Sequence, residues 1–497
     1  MAWMWAAVSV IVLIYLLQEL LSPTKKKRLP PGPRGLPILG HLHLLGKNPH
    51  QDLFHLAQKH GPIMGLRFGV VPAVVVSSPA GAKLVLKTHD LVFANRPRNE
   101  ASKYILYEQK DLVFGQYGPY WRNMRKLCTA ELLSNRRINQ FRAMRKVELE
   151  LLVSSLKRAA EMREIVDLSA RVSGLIGDMN SLMVFGRKYA DRDMDNEKGL
   201  KILTMEAMEF AGKFNVADYF PYIGILDLQG MNRKMKRLSK TFDKFLEKMI
   251  DDHVKNKQEK KQTKDFVDTM MEIMESGKAE FQFDRLHVKA VLLDLLIGGI
   301  NTSISAIEWA ISELIRHPQV MNKLRKELET VVGTDQMVEE SHLHRLEYLN
   351  FVVKETLRLH PAVPLLIPHE SMEDCVVDGY HIRKGSRTIV NIWAIGRDPN
   401  VWPDPELFKP ERFIASNIDL RGCDFQLLPF GSGRRSCPGL QLGLTVVQLV
   451  ISQLVHCFDW QLPNGMEPCD LDMSEHFGLA VARAKHIVAI PSYRLHK

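Results

Sequence analysis

The stretch FDRLHVKAVLLDLLIGGINTSISAIEWAISELIRHP, from Phe283 to Pro318, limits the fold more than any other part of the chain. It opens on Asp284, a good N-cap, and stops before Pro318. A helix of about 32 residues at 1.5 Å each is ~48 Å long, enough to cross a whole domain. Asp294, Asn301 and Glu308 interrupt its apolar run, so it is a core rod and not a membrane span. Gly298 and Gly299 sit at its centre. Glycine in a helix interior costs about 0.5–1 kcal/mol relative to alanine, so two together need a reason. Either a neighbour packs closely there, or the helix widens where something approaches its backbone.

Most of the remaining chain has helical period, with long amphipathic stretches from Ala80 through Arg358. Ile63–Phe68 and Ala73–Ser77 read as strands around a turn at Gly69. Asp378-Gly379 is a hairpin turn signal, and Thr388–Asn391 is a further strand. Val254–Lys264 is a charge run that reads as a solvated loop. Asp398–Phe413 carries Pro399, Pro403, Pro405 and Pro410 and reads as an ordered meander. With no internal repeat or domain boundary, the expected body is mainly α with small β sheets around one core.

The first 21 residues, MAWMWAAVSVIVLIYLLQELL, are apolar enough to span a bilayer core of ~30 Å. Basic residues follow this stretch instead of preceding it, which favours an uncleaved anchor over a signal peptide. Residues 1–22 are therefore expected to be a single transmembrane helix, 23–40 a basic and proline-rich hinge, and 41–497 the body. Lys25, Lys26, Lys27 and Arg28 place that body in the cytosol. The six cysteines form no C-x-x-C pair and no disulfide framework, which agrees with a reducing compartment. Net charge is +10, but four of those charges fall at this one spot and no nucleic-acid motif accompanies them.

The loop FGSGRRSCPG, Phe430 to Gly439, sets one cysteine among glycines and two arginines. Gly431, Gly433 and Gly439 allow a tight turn and close approach to a flat ligand. Arg434, Arg435, the loop N–H groups and the N-terminus of the helix starting at Leu440 are expected to favour thiolate at Cys437. A haem iron held by one cysteine thiolate fits each part.

On these residues the chain resembles the cytochrome P450 family, and further motifs stand in the family's order: Trp121-x-x-x-Arg125, Glu355 and Arg358 in KETLRLHP, and Arg412 in FKPERF. The resemblance covers essentially the whole chain. Its wording in PPGPRGLPILG and NIWAIGRDPNVWPDPELFKPERF is similar to plant microsomal members of specialised metabolism. It implies a P450 fold holding haem b, with Cys437 as iron ligand. Phe430, Gly433 and Gly439 would shape the haem loop, and Gly298 and Gly299 the oxygen groove. Trp121, Arg125 and Arg435 would hold the haem propionates, with His369 a weaker candidate. Glu355, Arg358 and Arg412 would form a buried structural network. Thr302, with Asn301, would manage protons. Arg122, Lys126 and Arg434 are candidates for docking a reductase, although a solvated basic face explains them better.

One position departs from the family. Where the long helix usually carries Asp or Glu before its Thr, this chain has Asn301. An amide orients water but releases no proton near neutral pH. The resemblance implies a monooxygenase using O₂ and NADPH-derived electrons from a reductase at the endoplasmic reticulum membrane. Its substrate would be a small hydrophobic metabolite, terpenoid or phenolic, in a pocket lined by Ile105, Leu106, Phe114, Leu296, Val363, Leu365, Leu366, Phe477 and Leu479. The alternatives are a haem-thiolate isomerase or dehydratase that needs no reductase, and a non-catalytic haem-binding membrane scaffold.

Overall fold

The long helix forms as its sequence predicts. It runs from Arg285 to Arg316, and the Asp284 carboxylate accepts the N–H groups of Leu286 and His287 at its start. The computed structural model describes residues 28–188, 199–224, 226–256, 263–277 and 281–495. The expected membrane anchor and the lysines of the hinge lie outside the described residues.

Among the described residues, the helices of eleven or more residues are, in chain order, α1 (Pro49–His60), α2 (Pro119–Glu131), α3 (Arg142–Glu161), α4 (Leu168–Phe185), α5 (Leu200–Gly212), α6 (Met231–Lys255), α7 (Phe266–Ser276), α8 (Arg285–Arg316, the long helix), α9 (Pro318–Val332), α10 (Glu347–Leu359) and α11 (Leu440–Cys457). Helix α8 serves two apolar cores. Its first half, Val288 to Leu296, packs with α2, α5, α6 and α7. Its second half, Ile300 to Ile315, packs with α3, α4, α9, α10 and α11. Gly298 and Gly299 occupy the joint between them. Helices α8 and α11 are long and apolar enough to cross a membrane, but more than half of each apolar window is buried within the protein, as the polar residues of α8 led us to expect.

Sheets are small. Strands β1 (Ile63–Phe68) and β2 (Val71–Val76) form the expected hairpin, Ile63 opposite Val76, turning at Gly69. Next come β3 (Val166–Asp167), β4 (His369–Glu370), β5 (Cys375–Val377), β6 (Tyr380–Ile382) and β7 (Arg387–Val390). β7 pairs parallel with β2 and antiparallel with β4, giving the order β1-β2-β7-β4. Asp378 and Gly379 both have positive φ between β5 and β6, as a two-residue hairpin turn requires. The described part of the hinge docks on this sheet, because Gly65 N–H donates to the Pro31 carbonyl at 2.7 Å. The charge run is not wholly a loop: α6 carries its first two residues, and 257–262 lie outside the described residues.

Candidate active site

A cavity of about 340 Å³ opens where the two cores meet, between α8 and the loop that precedes α11. The loop's shape follows from its glycines. Gly433 has φ +67°, and a β-carbon there would stand 2.3 Å from the Leu86 carbonyl oxygen, so only glycine fits. Cys437 N–H donates to the Phe430 carbonyl at 2.8 Å, closing the turn that presents the thiol to the cavity. Phe430, Gly439 and Arg435 line the same cavity.

Cys437 opens onto the cavity. Burial pushes its pKa up, while the Gly439 N–H and Arg125 pull it down without prevailing. The loop N–H of Gly439 acts as expected, but burial outweighs it, and both loop arginines turn to other partners. Arg434 instead pairs with Asp90 at 3.0 Å. Arg435 donates to the carbonyls of Ala94 at 2.7 Å and Gly115 at 2.6 Å. A free thiolate is disfavoured here, whereas a metal cation at the sulfur would reverse the balance.

Basic groups crowd one wall. Arg96, Arg125, Arg435 and His369 all line the cavity with Trp121. Burial, then repulsion from Arg435, drives Arg96 well below the usual guanidinium range. Burial also lowers Arg435 to about 9, with Asp111 opposing and Arg125 assisting. Trp121 Nε1 donates to the Leu112 carbonyl at 2.9 Å, and Arg125 donates to that of Ser436 at 2.6 Å. The His369 Nδ1 donates to Phe93 O at 2.6 Å, and burial keeps this ring neutral. Several desolvated guanidiniums in one wall suit an anionic partner, and the two carboxylates of a haem supply one. Arg96 escaped sequence reasoning because a lone arginine in ANRPRNE has no spacing to mark it.

Facing this wall, Thr302 Oγ1 donates back to the Gly298 carbonyl at 2.7 Å. The two readings of the glycine pair hold one each. A β-carbon on Gly298 would meet nothing within 4 Å, so this residue keeps the helix open toward the cavity. One on Gly299 would fall 2.4 Å from Asn180 Nδ2, so this glycine admits a close neighbour. Asn301 does not line the cavity, and its Nδ2 is buried without a hydrogen-bond partner.

Ile105, Leu106, Phe114, Val363, Leu366 and Leu479 line the cavity as expected of pocket residues. Leu296, Leu365 and Phe477 do not. Leu296 is fully buried in the core beside the first half of α8. Leu365 packs against the β1-β2 strands. Phe477 stacks on His50 with centroids 5.6 Å apart. Away from the cavity, Glu355 receives Arg358 through two bonds of 2.8 and 2.9 Å and Arg412 through one of 2.9 Å.

A mainly helical body with one cysteine thiol facing a long central helix across an apolar, arginine-walled cavity defines the class of haem-thiolate enzymes. The Cytochrome P450 family model matches residues 30–488. Cytochrome P450 CYP736A12 of Panax ginseng is 51% identical over 483 residues, covering 96% of each chain. The 3,9-dihydroxypterocarpan 6A-monooxygenase of Glycine max is 41% identical, covering 98% of this chain and 97% of its own. Flavonoid 3'-monooxygenase CYP75B137 of Crocosmia x crocosmiiflora is 42% identical, covering 94% and 93%. A zebra fish cytochrome P450 structure with abiraterone superposes with a TM-score of 0.74 at 25% identity, over 90% of this chain and 100% of its own. The chain belongs to the cytochrome P450 family and is a P450 monooxygenase, which works with haem-thiolate iron, O₂ and reductase-supplied electrons from NADPH.

Proposed function

We propose that this monooxygenase hydroxylates a small hydrophobic specialised metabolite, phenolic or terpenoid, at the endoplasmic reticulum membrane. The observation that carries the reading is the cavity itself. Cys437, Thr302 and a continuous apolar lining from Ile105, Phe114, Val363, Leu366 and Leu479 face one space. An apolar chamber with few polar groups selects a hydrophobic molecule and orients it by shape. The relatives named for a flavonoid and a pterocarpan act on aromatic, hydroxylated compounds, which favours the phenolic class.

In this reading Cys437 holds the iron, and Arg96, Trp121, Arg125 and Arg435 hold the propionate edge. The haem supplies the activation of O₂ and the insertion of one oxygen atom into a substrate C–H bond. The chain's own residues do the rest. The apolar wall excludes water and holds the substrate. Gly298 leaves the groove open, and the Thr302 hydroxyl passes protons within it. Asn301, set behind the groove and not lining it, donates no proton of its own. Residues 1–22 anchor the protein in the membrane with the catalytic body in the cytosol, where a membrane-bound reductase reaches it.

The test is reconstitution of the full chain with an NADPH–cytochrome P450 reductase and a panel of flavonoids, pterocarpans and terpenoids under ¹⁸O₂. A product carrying one labelled oxygen supports the reading. Product formation without reductase would replace it with an isomerase or dehydratase. Haem binding with no turnover on any panel member would favour the non-catalytic scaffold.

A further inference from the structure

Two carboxyl groups face each other beside the cavity, and the reaction as described uses neither. Asp294 lies on the long helix and lines the cavity. It stands four residues before Gly298 and eight before Thr302, on one stripe of the helix. Its Oδ2 accepts the Leu112 N–H at 2.6 Å. Asp111 sits in the loop of residues 105–118, which supplies Ile105, Leu106 and Phe114 to the cavity wall. Its Oδ2 accepts the Phe114 N–H at 2.7 Å. Asp111 is 0% exposed, and its Oδ1 has no donor among the ordinary donors around it. Leu112 and Phe114 thus bring both carboxyls to one short stretch of the loop, where burial and then Asp111 push Asp294 up. Carboxylates accept only, so the two can bond each other only if one carries a proton.

We propose that Asp111 and Asp294 are a positioning pair that shares one proton and thereby pins the loop of residues 105–118 to the long helix, fixing this wall of the substrate chamber. Asp294 is the acid and donates to Asp111 Oδ1. A proton held between the two carboxyls gives that buried oxygen a partner, whose absence would cost about 1–3 kcal/mol. Charges on the surrounding elements agree. Arg435 and Arg96 lie on the Asp111 side and favour its anion. Tyr120 and Cys128, on α2, are both held neutral, largely by burial. Burial raises Asp111 to about 6 and Asp294 well above the ordinary carboxyl range.

The sign follows. The pinned loop binds a proton that the open loop, with both carboxyls in water, releases above the usual carboxyl range. Raising the pH therefore favours opening. Between the ordinary carboxyl range and the closed pair's own last dissociation the opening equilibrium grows about tenfold per pH unit for the one shared proton, and it levels off above that dissociation.

The inference rests on reading the cavity as the haem and substrate chamber, and its test separates the two. Amide hydrogen exchange over residues 105–118 is followed in the full-length holoprotein from pH 6 to 9, corrected for the intrinsic pH dependence of exchange. Binding of clotrimazole is titrated in parallel from the Soret shift. In the wild type, loop protection and clotrimazole affinity should both fall toward pH 9. Asp294→Asn keeps a donor toward Asp111 and an acceptor for Leu112 but cannot titrate. Its loop should stay protected at every pH, and its affinity ratio to wild type should rise with pH, a comparison in which the probe's own protonation cancels. Asp294→Ala should expose the loop at all pH values. Protection that is flat with pH in the wild type, or an Asp294→Asn slope equal to the wild type's, overturns the pair. Loss of the red-shifted carbon monoxide band would instead count against the haem reading, and the exchange comparison would still judge the pair.

Discussion

Arg435 lies with its guanidinium carbon 3.9 Å from the centre of the Trp121 ring, and both side chains also donate to the Leu112 carbonyl. The pair ties the cysteine loop to α2 across the cavity wall. Arg435→Lys keeps the charge but loses the flat stack and the forked donors. A desolvated stack of this kind is worth about 2 kcal/mol, so haem should leave the variant roughly tenfold faster or more. Transfer to an excess of apomyoglobin measures it, and an unchanged rate would show that the stack does not guard the haem.

The polar residues at the middle of the long helix make a second prediction. Thr302 bonds the Gly298 carbonyl, while the Asn301 amide is buried with an unpartnered Nδ2. Asn301→Asp restores a group that can release a proton, so product formed per NADPH consumed should rise. Thr302→Val should lower that ratio and raise hydrogen peroxide release. Coupling unchanged by Asn301→Asp would mean that an acid is dispensable at this position.

How much of this site is legible in the chain depends on how each residue is specified. Cys437 and the Glu355, Arg358 and Arg412 triplet are set by short motifs whose spacing survives folding. The reach of the long helix follows from its length and its Asp284 cap. Arg96 and Asp111 belong to irregular segments, where only tertiary placement brings Arg96 to the cavity and Asp111 beside Asp294. Hydrophobicity alone misleads at Leu296. Successive helix residues turn by about 100°, so Leu295 and Ile297 reach the cavity while Leu296 between them enters the core. Gly299 shows the same limit: its neighbour Asn180 lies more than a hundred residues away in the chain, and no local pattern announces it.

That distinction is itself testable. Leu296→Ala should cost about 2–5 kcal/mol of stability, as core truncations do, and leave the product distribution intact. Phe114→Ala should change the product distribution or raise KM, because Phe114 lines the cavity. Thermal unfolding and product analysis on the two variants should give opposite patterns.

Gly299 and Asn180 should be energetically coupled. Gly299→Ala drives a β-carbon to 2.4 Å from Asn180 Nδ2, an overpacking that typically costs about 1–3 kcal/mol. Asn180→Ser removes the clashing atoms along with its bond to the Leu295 carbonyl. The double variant should therefore be more stable than the sum of the two single effects predicts. Denaturant midpoints of all four proteins measure the coupling, and strict additivity would refute the contact.

Glu355 carries the strongest stability prediction. Its carboxylate is fully buried and takes Arg358, Arg412 and the Lys409 N–H. Arg358, also fully buried, spends its other donors on the carbonyls of Gly396, Pro405 and Leu407. These bonds hold the proline-rich meander onto α10, next to the core that supports the cysteine loop. Removing one member of a buried ion network leaves the others uncompensated and typically costs about 3–5 kcal/mol. Glu355→Gln keeps the shape but removes the charge that faces two guanidiniums. We expect most of that cost, seen as a lower unfolding temperature and a smaller carbon monoxide band per milligram of protein. Arg412→Lys should be milder, because Arg358 still satisfies the carboxylate. Equal losses in the two variants would mean that the network tolerates no change at its edge, and wild-type behaviour in Glu355→Gln would mean that the buried charge is not what holds the meander in place.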